Sequence, residues 1–437
     1  MYLASVAIDG KLAISHQAFR SWRLLTIAER SVYVKRLAEL INKNQLEIAR
    51  LITSSMGKLS SESKREVDRC VRACETMPAL AEQYLATQRV ETHHEKSYVC
   101  YQPLGVILGI TPWNFPLWQV IRFAIPNILA GNTVVVKHAP NVFICTEYLE
   151  RLFLEAGFPA GVFQHFPVED RDVEHVIRDD RVQGIALTGS ARAGRAVAKI
   201  AGDALKKIVL ELGGSDPLIV LEDADLDLAV KNACNARFMN AGQICVAAKR
   251  ILVHEKIAAE FTQRFVKQAS AYQLGHPEAE ETTLSALARK DLCDNLDRQV
   301  RESVAMGAQV LVGGKRSLEN ECAYEATVLD QITPDMPVYN EEVFGPVSSV
   351  IHFASEQEAI AIANASSYGL GASIWTQDRI KGERMALQLE CGMVYVNSLL
   401  RSDIRLPFGG IKQSGFGREL GEAGFREFTN IKTVVVN

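Results

Sequence analysis

The chain has 437 residues, is 48% hydrophobic and 23% charged, and carries a net charge of −4. That exceeds what one compact core usually holds, so two domains are expected, and with no Lys/Arg block along the sequence a nucleic-acid surface is excluded. The first residues carry no basic, apolar leader pattern and no apolar run reaches the roughly 18 residues of a membrane span, so a soluble cytoplasmic protein is expected.

Apolar residues recur at helical spacing over 17–53 and 57–88, as in Val34, Leu37, Leu40, Ile41 and Ile48, so amphipathic helices open the chain. A polar segment from Gln88 to Lys96 leads into Tyr98-Val99-Cys100-Tyr101, a strand-like piece that reads as an arm more than as core. Short β-rich runs at 106–111, 133–137, 162–166 and 184–188 then alternate with helical stretches at 142–156 and 191–202. Strands alternating with helices predict a parallel sheet with its ligand at the strand ends. The alternation continues with strands near 217–220, 250–253, 310–312 and 348–352 and helices near 226–239, 256–270, 287–306 and 356–365, which predicts a second α/β domain. The last residues, from Ile431 to Asn437, read as a strand whose edge stands open unless it pairs with another chain, so oligomerisation is expected.

Nine cysteines are an odd number for a disulfide framework and none forms a C-x-x-C pair, so free thiols are expected. Cys70 and Cys74 share one helix face, but no histidine or second cysteine pair completes a metal site. His93-His94 lacks partners at ligand spacing, and no metal is assigned.

Four segments carry chemistry. Asn240-Ala241-Gly242-Gln243-Ile244-Cys245 places a cysteine after a small-residue turn, where its thiol and backbone N–H can face a cleft. A lone cysteine is usually a small buried hydrophobe; as a nucleophile it suits carbonyl chemistry, because a thiolate attacks near neutral pH and leaves again from a thioester. Val209-Leu210-Glu211-Leu212-Gly213-Gly214 reads as a strand delivering one carboxylate to a turn, and Ile110-Thr111-Pro112-Trp113-Asn114-Phe115-Pro116 holds an amide between two stiffening prolines. Leu187-Thr188-Gly189-Ser190-Ala191-Arg192-Ala193-Gly194 follows a strand and opens a helix, whose free N–H groups suit a pyrophosphate. Its G-x-x-x-x-G pattern differs from the common dinucleotide fingerprint and by itself is also compatible with a plain turn.

These segments, in this order and with Cys245 lying 34 positions after Glu211, resemble the aldehyde dehydrogenase superfamily over nearly the whole chain. The resemblance implies an α/β fold with a Rossmann-type cofactor domain from residues 1–84 and 104–213, a catalytic α/β domain over 214–413, and a β oligomerisation arm from 85–103 and 428–437. A homodimer or homotetramer is implied. By the same resemblance Cys245 is the nucleophile, Asn114 and the Cys245 N–H hold the oxyanion, and Glu211 is the general base for hydrolysis. Thr111, Pro112, Trp113, Lys137, Gly189, Ser190 and Gly194 match cofactor contacts. In Glu341-Glu342-Val343-Phe344-Gly345-Pro346, Glu342 matches a ligand of the nicotinamide ribose and Phe344 packs on the ring; a surface carboxylate and a core phenylalanine are the plainer readings. Many NAD-preferring members carry a glutamate three positions after the lysine, where this chain has Pro140, so NAD is the expected cofactor and nothing at this position excludes NADP.

Within the family, 113–120, 136–142 and 211–217 look most like the succinate-semialdehyde dehydrogenases. Arg122, eight after Asn114, matches a place where some semialdehyde enzymes hold the distal carboxylate, although a salt bridge on its helix explains it equally. Six positions before the cysteine, where better-known relatives carry another arginine, stands Met239; Arg401 and Arg405 are the candidate substitutes. Phe408 matches a wall of the substrate tunnel or is ordinary core, and Glu419 matches a glutamate near the base or is structural. Oxidation of succinate semialdehyde to succinate is the expected activity. Another small aldehyde such as glutarate semialdehyde, or a catalytically silent homologue, is the alternative.

Overall fold

The computed structural model describes residues 2–437. Helices α1 (Ser5–Trp22), α2 (Ile27–Lys43), α3 (Gln45–Met56) and α4 (Ser60–Tyr84) come first. Thr26 starts α2 through a reciprocal cap: its hydroxyl accepts from Glu29 N–H while the Glu29 carboxylate accepts from Thr26 N–H. Gly57, at φ +77°, ends α3 in the left-handed conformation that costs glycine little. The inward faces of these helices, among them Val34, Leu37, Ile41, Ile52, Val67, Cys70 and Cys74, belong to one continuous core with the helix that follows Asn114. Cys70 and Cys74 are packing residues there.

Strands β1 (Gln88–Arg89) and β2 (Lys96–Pro103) precede the first α/β unit: β3 (Val106–Thr111), α5 (Trp118–Ala130), β4 (Thr133–His138), α6 (Phe143–Glu155), β5 (Phe163–His165), α7 (Val173–Arg178), β6 (Val182–Thr188), α8 (Ala191–Asp203) and β7 (Lys207–Glu211). The second unit holds β8 (Asp216–Val220), α9 (Leu226–Phe238), β9 (Ala248–His254), α10 (Glu255–Ala269), α11 (Lys290–Ala305), β10 (Gln309–Val312), β11 (Thr327–Asp330), α12 (Pro337–Asn340), β12 (Val347–Phe353), α13 (Glu356–Asn364), β13 (Tyr368–Gly369), β14 (Gly371–Trp375), α14 (Arg379–Ala386) and β15 (Met393–Val396). The chain then returns through β16 (Ile411–Lys412), β17 (Gly415–Phe416), α15 (Gly421–Glu427) and β18 (Thr429–Val436).

Six strands in the order β17-β7-β6-β3-β4-β5 make the first sheet, parallel except for β17. Chain order runs one way from β3 and the other way from β6, so the crevice between these two strands is the switch point where a doubly wound sheet binds its ligand. The second sheet, β10-β11-β12-β9-β8-β14-β15, is parallel except for β10. β4, β8 and β9 are buried along their whole length, as expected for parallel strands covered on both faces. β7 ends at Glu211 and β8 begins at Asp216, so C-terminal strand ends of the first sheet lead directly to N-terminal strand ends of the second. The candidate site lies at that seam.

The final strand is paired within the chain, and its partner lies in the other stretch that the family resemblance grouped with it as one arm. β18 pairs antiparallel with β2 of the same chain from Thr429 against Pro103 to Val436 against Lys96, and only its outer side is an edge. The partner is more than 300 residues away in sequence, which a reading by local pattern does not find. Periodicity also missed the short strands β11, β14 and β15. Among the described residues no helix is long and apolar enough to cross a membrane, and no group of three or more metal-binding side chains converges.

Asn132 stitches the returning segment to the first sheet. Fully buried, its Oδ1 accepts from Gly105 N–H at 3.0 Å and its Nδ2 donates to Phe428 O at 2.9 Å. Asn132→Ala leaves both backbone groups buried and unpaired, a loss of about 2–5 kcal/mol that thermal melting is expected to register as a lowered Tm.

Candidate active site

Asn114 sits in the loop between β3 and α5, 4% exposed. Gln119 Nε2 approaches Asn114 Oδ1 at 3.4 Å, which turns the amide nitrogen toward the Cys245 loop, where Nδ2 donates to Gln243 O at 3.0 Å. His138 fixes the near end of that loop. Burial pushes its pKa down to about 4, so the ring is neutral and has one N–H. Nε2 lies 3.0 Å from Pro116 O, and Nδ1 lies 2.8 Å from the Thr111 hydroxyl and 3.1 Å from Thr111 O, so the ring bridges the two ends of the loop through either nitrogen.

Cys245 follows a turn in which Asn240 and Ala241 both adopt positive φ, +52° and +51°, before Gly242 at +72°. The backbone is crowded behind it. A Cβ on Gly214 would lie 2.8 Å from Cys245 O, and one on Gly242 would strike Gly345 O. Lys249, fully buried, donates to Ile244 O at 2.9 Å and to Cys245 O. Burial pushes the Cys245 thiol up to about 11, with Arg122 and Lys249 pulling it down and Glu211 and Asp216 opposing them.

Glu211 ends β7, 3% exposed, with Oε1 unpartnered and packed where a side chain on Gly409 would stand. Burial, then the charge of Glu419, holds its carboxyl well above the ordinary range, against the opposing pull of Arg122. Arg122 itself is 3% exposed: its Nε lies 2.5 Å from Glu419 Oε2, its guanidinium stands 4.8 Å from the centre of the Phe408 ring, and its Nη2 donates to Thr188 Oγ1 at 3.2 Å. Phe408 and Glu419 exchange backbone hydrogen bonds, Phe408 N–H to Glu419 O at 2.7 Å and Glu419 N–H to Phe408 O at 2.9 Å. The arginine expected to meet a distal carboxylate thus has an internal one as its partner. Phe408 is almost wholly buried beneath it.

The remaining predicted positions lie on strand ends of the first sheet or on the segment facing them. Thr111 ends β3, followed by Pro112 and Trp113, and Trp113 meets Phe344 edge-on at 5.8 Å. Lys137, near the end of β4, pairs with Asp170 at 2.8 Å, whose side chain is 95% exposed. Gly189 precedes Ser190, which caps α8 by accepting from Ala193 N–H at 3.2 Å. Gly194 is in the helix where a Cβ would lie 2.6 Å from Leu212. Glu342 accepts from Gly214 N–H at 3.0 Å and faces Lys249 at 3.5 Å.

Arg69 is among the residues that escaped the sequence reading. Arg69 of α4 stacks 3.8 Å from the Trp118 ring and donates through Nη2 to Ser402 O at 2.5 Å. Burial, then the charges of Arg122 and Arg401 among its neighbours, holds its pKa down to about 10. An arginine bordering the buried face of an amphipathic helix is the local signal; its distant partners gave none.

Residues 4–434 match the model of the aldehyde dehydrogenase family. The chain belongs to that family. It is 43% identical over 427 residues to the succinate semialdehyde dehydrogenase [NAD(P)+] Sad of Escherichia coli, covering 98% of this chain and 92% of that one. A probable succinate-semialdehyde dehydrogenase [NADP(+)] of Synechocystis is also 43% identical, over 99% of this chain and 95% of its own. The crystal structure of succinic semialdehyde dehydrogenase from Streptococcus pyogenes in complex with NADP+ superposes with a TM-score of 0.97 at 35% identity, covering 100% of this chain and 96% of that one.

For an aldehyde dehydrogenase the Glu211, Glu419 and Arg122 group has a measurable consequence. Glu419→Gln removes the like charge that raises Glu211, and releases Arg122 to act on it. Glu211 is then expected to ionise at lower pH than in the parent, which the pH dependence of its carboxylate stretch in difference infrared spectra, identified with Glu211→Gln, checks.

Proposed function

We propose that this aldehyde dehydrogenase oxidises succinate semialdehyde to succinate with NADP+ or NAD+, using Cys245 as nucleophile, Asn114 as oxyanion donor and Glu211 as general base. The observation that carries the reading is the meeting, at one seam between the sheets, of the Asn114 amide, the Cys245 loop and the unpartnered Glu211 carboxyl.

The strand ends fit a dinucleotide. Ser190 caps α8 with a single acceptor, Gly189 adds no side chain before the first-turn N–H groups, and position 140 offers no carboxylate to repel a 2′-phosphate. In this reading Thr111, Pro112, Trp113, Lys137, Gly189, Ser190, Gly194, Glu342 and Phe344 would hold the cofactor. Bound there, NAD(P)+ supplies the hydride acceptor.

The Cys245 thiol loses its proton and sulfur bonds to the aldehyde carbon, while the carbonyl oxygen takes hydrogen bonds from Asn114 Nδ2 and the Cys245 N–H. Loss of hydride from that carbon leaves a thioester on sulfur. Glu211, once ionised, takes a proton from water as the water oxygen adds to the thioester carbon, and the thiolate departs with the carboxylic acid released. One water is consumed and one hydride is given up per aldehyde. Burial disfavours the charged form of both Cys245 and Glu211. Turnover is therefore favoured as pH rises.

A dicarboxylate half-aldehyde needs a cation. Arg69, Arg122 and Arg401 are near enough for each of the other two to depress Arg69, and the relatives named above act on succinate semialdehyde. Arg122 is taken by Glu419, whereas Arg69, with Ser402 beside it, and Arg401 pair with no carboxylate among the described residues, and of these two Arg69 is the one held in place, against the buried Trp118. A homodimer or homotetramer is supported by the free outer edge of β18, where Ile431, Val435 and Val436 are exposed. Nine free cysteines suit the reducing cytoplasm.

Initial rates of NADPH and NADH formation test the reading. Succinate semialdehyde is expected to exceed propionaldehyde in kcat/KM, and Cys245→Ala to abolish turnover. Asn114→Ala is expected to lower kcat by about 100-fold or more. Arg69→Leu is expected to raise KM for succinate semialdehyde by about 10- to 100-fold while leaving propionaldehyde nearly unaffected. A parent enzyme that oxidises neither aldehyde would sink the proposal.

A further inference from the structure

The N-terminal helices reach the chemistry through three charged side chains that the mechanism does not use. Lys58 lies between α3 and α4 and its side chain is 1% exposed. Its Nζ stands 2.5 Å from Glu66 Oε2, donates to Asn114 O at 2.8 Å, and sits 3.9 Å from the Phe115 ring centre. Glu66, also 1% exposed, uses its other oxygen to accept from Leu117 N–H at 2.8 Å and Trp118 N–H at 3.0 Å, the free donors where α5 begins. Four residues before Glu66, Glu62 accepts through Oε1 from Asn240 N–H at 2.9 Å, and Asn240 Nδ2 donates to Asn114 O at 3.0 Å.

These bonds form one connected set. Both lone pairs of the Asn114 carbonyl are taken, one by Lys58 and one by Asn240, so the loop carrying the amide and the turn carrying the thiol are tied to each other and to one helix. The turn is strained, with Asn240 at φ +52°, and Glu62 holds its N–H from outside. A fully buried ion pair is a poor source of stability, since apolar side chains of similar size often serve as well or better. What the charges add is direction. An oxyanion donor displaced by a fraction of an ångström loses much of its effect on the transition state.

We propose that Lys58 and Glu66, with Glu62, are positioning residues that set the distance between the Asn114 amide and the Cys245 loop, so that the N-terminal helices govern the oxyanion pocket. This rests on the roles given above to Asn114 and Cys245. The set touches neither substrate nor cofactor. It acts on kcat through Asn114.

The test compares the parent, Glu66→Gln, the charge-free double variant Lys58→Met/Glu66→Leu, and each of these combined with Asn114→Ala. Each variant is first passed through gel filtration and checked by circular dichroism, and rates are counted per intact Cys245 thiol, read from the iodoacetamide label on the Cys245 peptide alone because the chain has nine free thiols. The double variant is expected to lose about 10- to 100-fold in kcat, with KM for the aldehyde and Kd for NADP+ within about threefold of the parent. Glu66→Gln keeps an acceptor for Leu117 and Trp118 N–H and is expected to recover part of the rate. In the Asn114→Ala background the double variant is expected to cost little more, because the group it positions is gone. Equal rates per thiol in the parent and the double variant overturn the proposal, as does an undiminished loss in the Asn114→Ala background. A parent enzyme without aldehyde oxidation overturns the functional reading and this proposal together, whereas an active parent with an unaffected double variant overturns this proposal alone.

Discussion

Two buried carboxylates, Glu211 and Glu419, depend on one guanidinium. Arg122 lies 2.5 Å from Glu419, so Glu211 is left desolvated beside a like charge with an unpartnered oxygen. In a medium from which water is excluded such a group holds its proton. The same burial keeps the Cys245 thiol neutral, and each of the two groups raises the cost of charging the other or is raised by a neighbour of its own sign. Charge on the thiol and on Glu211 is therefore disfavoured before reaction begins, and in such a water-poor site fixed donors contribute most to charge that develops in the transition state.

That arrangement is possible because the two sheets present opposite ends to one another. Glu211 closes β7, Asn114 follows β3, and Cys245 precedes β9, so the three groups proposed for catalysis come from well-separated stretches and arrive from rigid strand ends. Close backbone contacts hold the seam: Gly214 against Cys245 O, and Gly242 against Gly345 O. Any side chain at those two positions would force the strands apart. Lys249 then links the nucleophile's carbonyl to Glu342, the position assigned to the cofactor ribose, so the two halves of the pocket share one buried charge.

Legibility in the sequence followed the range of the interactions. Strands β3, β4, β6 and β8, helices α6, α8, α9 and α13, and the turn at Ser190 were readable because periodicity and capping are local. Glu211 was readable as well, since a single carboxylate in an apolar run before two glycines marks a strand end. Arg122 illustrates the opposite case: its helix position could be read, but whether the guanidinium meets a substrate or Glu419 depends on a residue almost three hundred positions later. Arg69 and the Lys58–Glu66 pair stayed hidden for the same reason, since their meaning comes from Ser402, Asn114 and Trp118 and not from their own neighbours in sequence. β18 carried a clear strand pattern, but local pattern did not give its partner; only the family resemblance put it beside the segment that holds β2.

The return of the C-terminal segment bears on how the protein is made. β17 completes the first sheet beside β7, and β18 covers β2. At about 5–20 residues per second, more than 300 residues of synthesis separate β2 from its partner, so its edge waits for roughly 15–60 s on the ribosome. The first α/β unit can collapse in that interval but cannot close. Polar and charged residues in the segment before β2, Glu91 to Lys96, lie at the end of the waiting strand and discourage pairing with a neighbouring nascent chain. Completion of that sheet is thereby deferred until β18 has left the exit tunnel, and a chain that stalls before β18 keeps the β2 edge exposed.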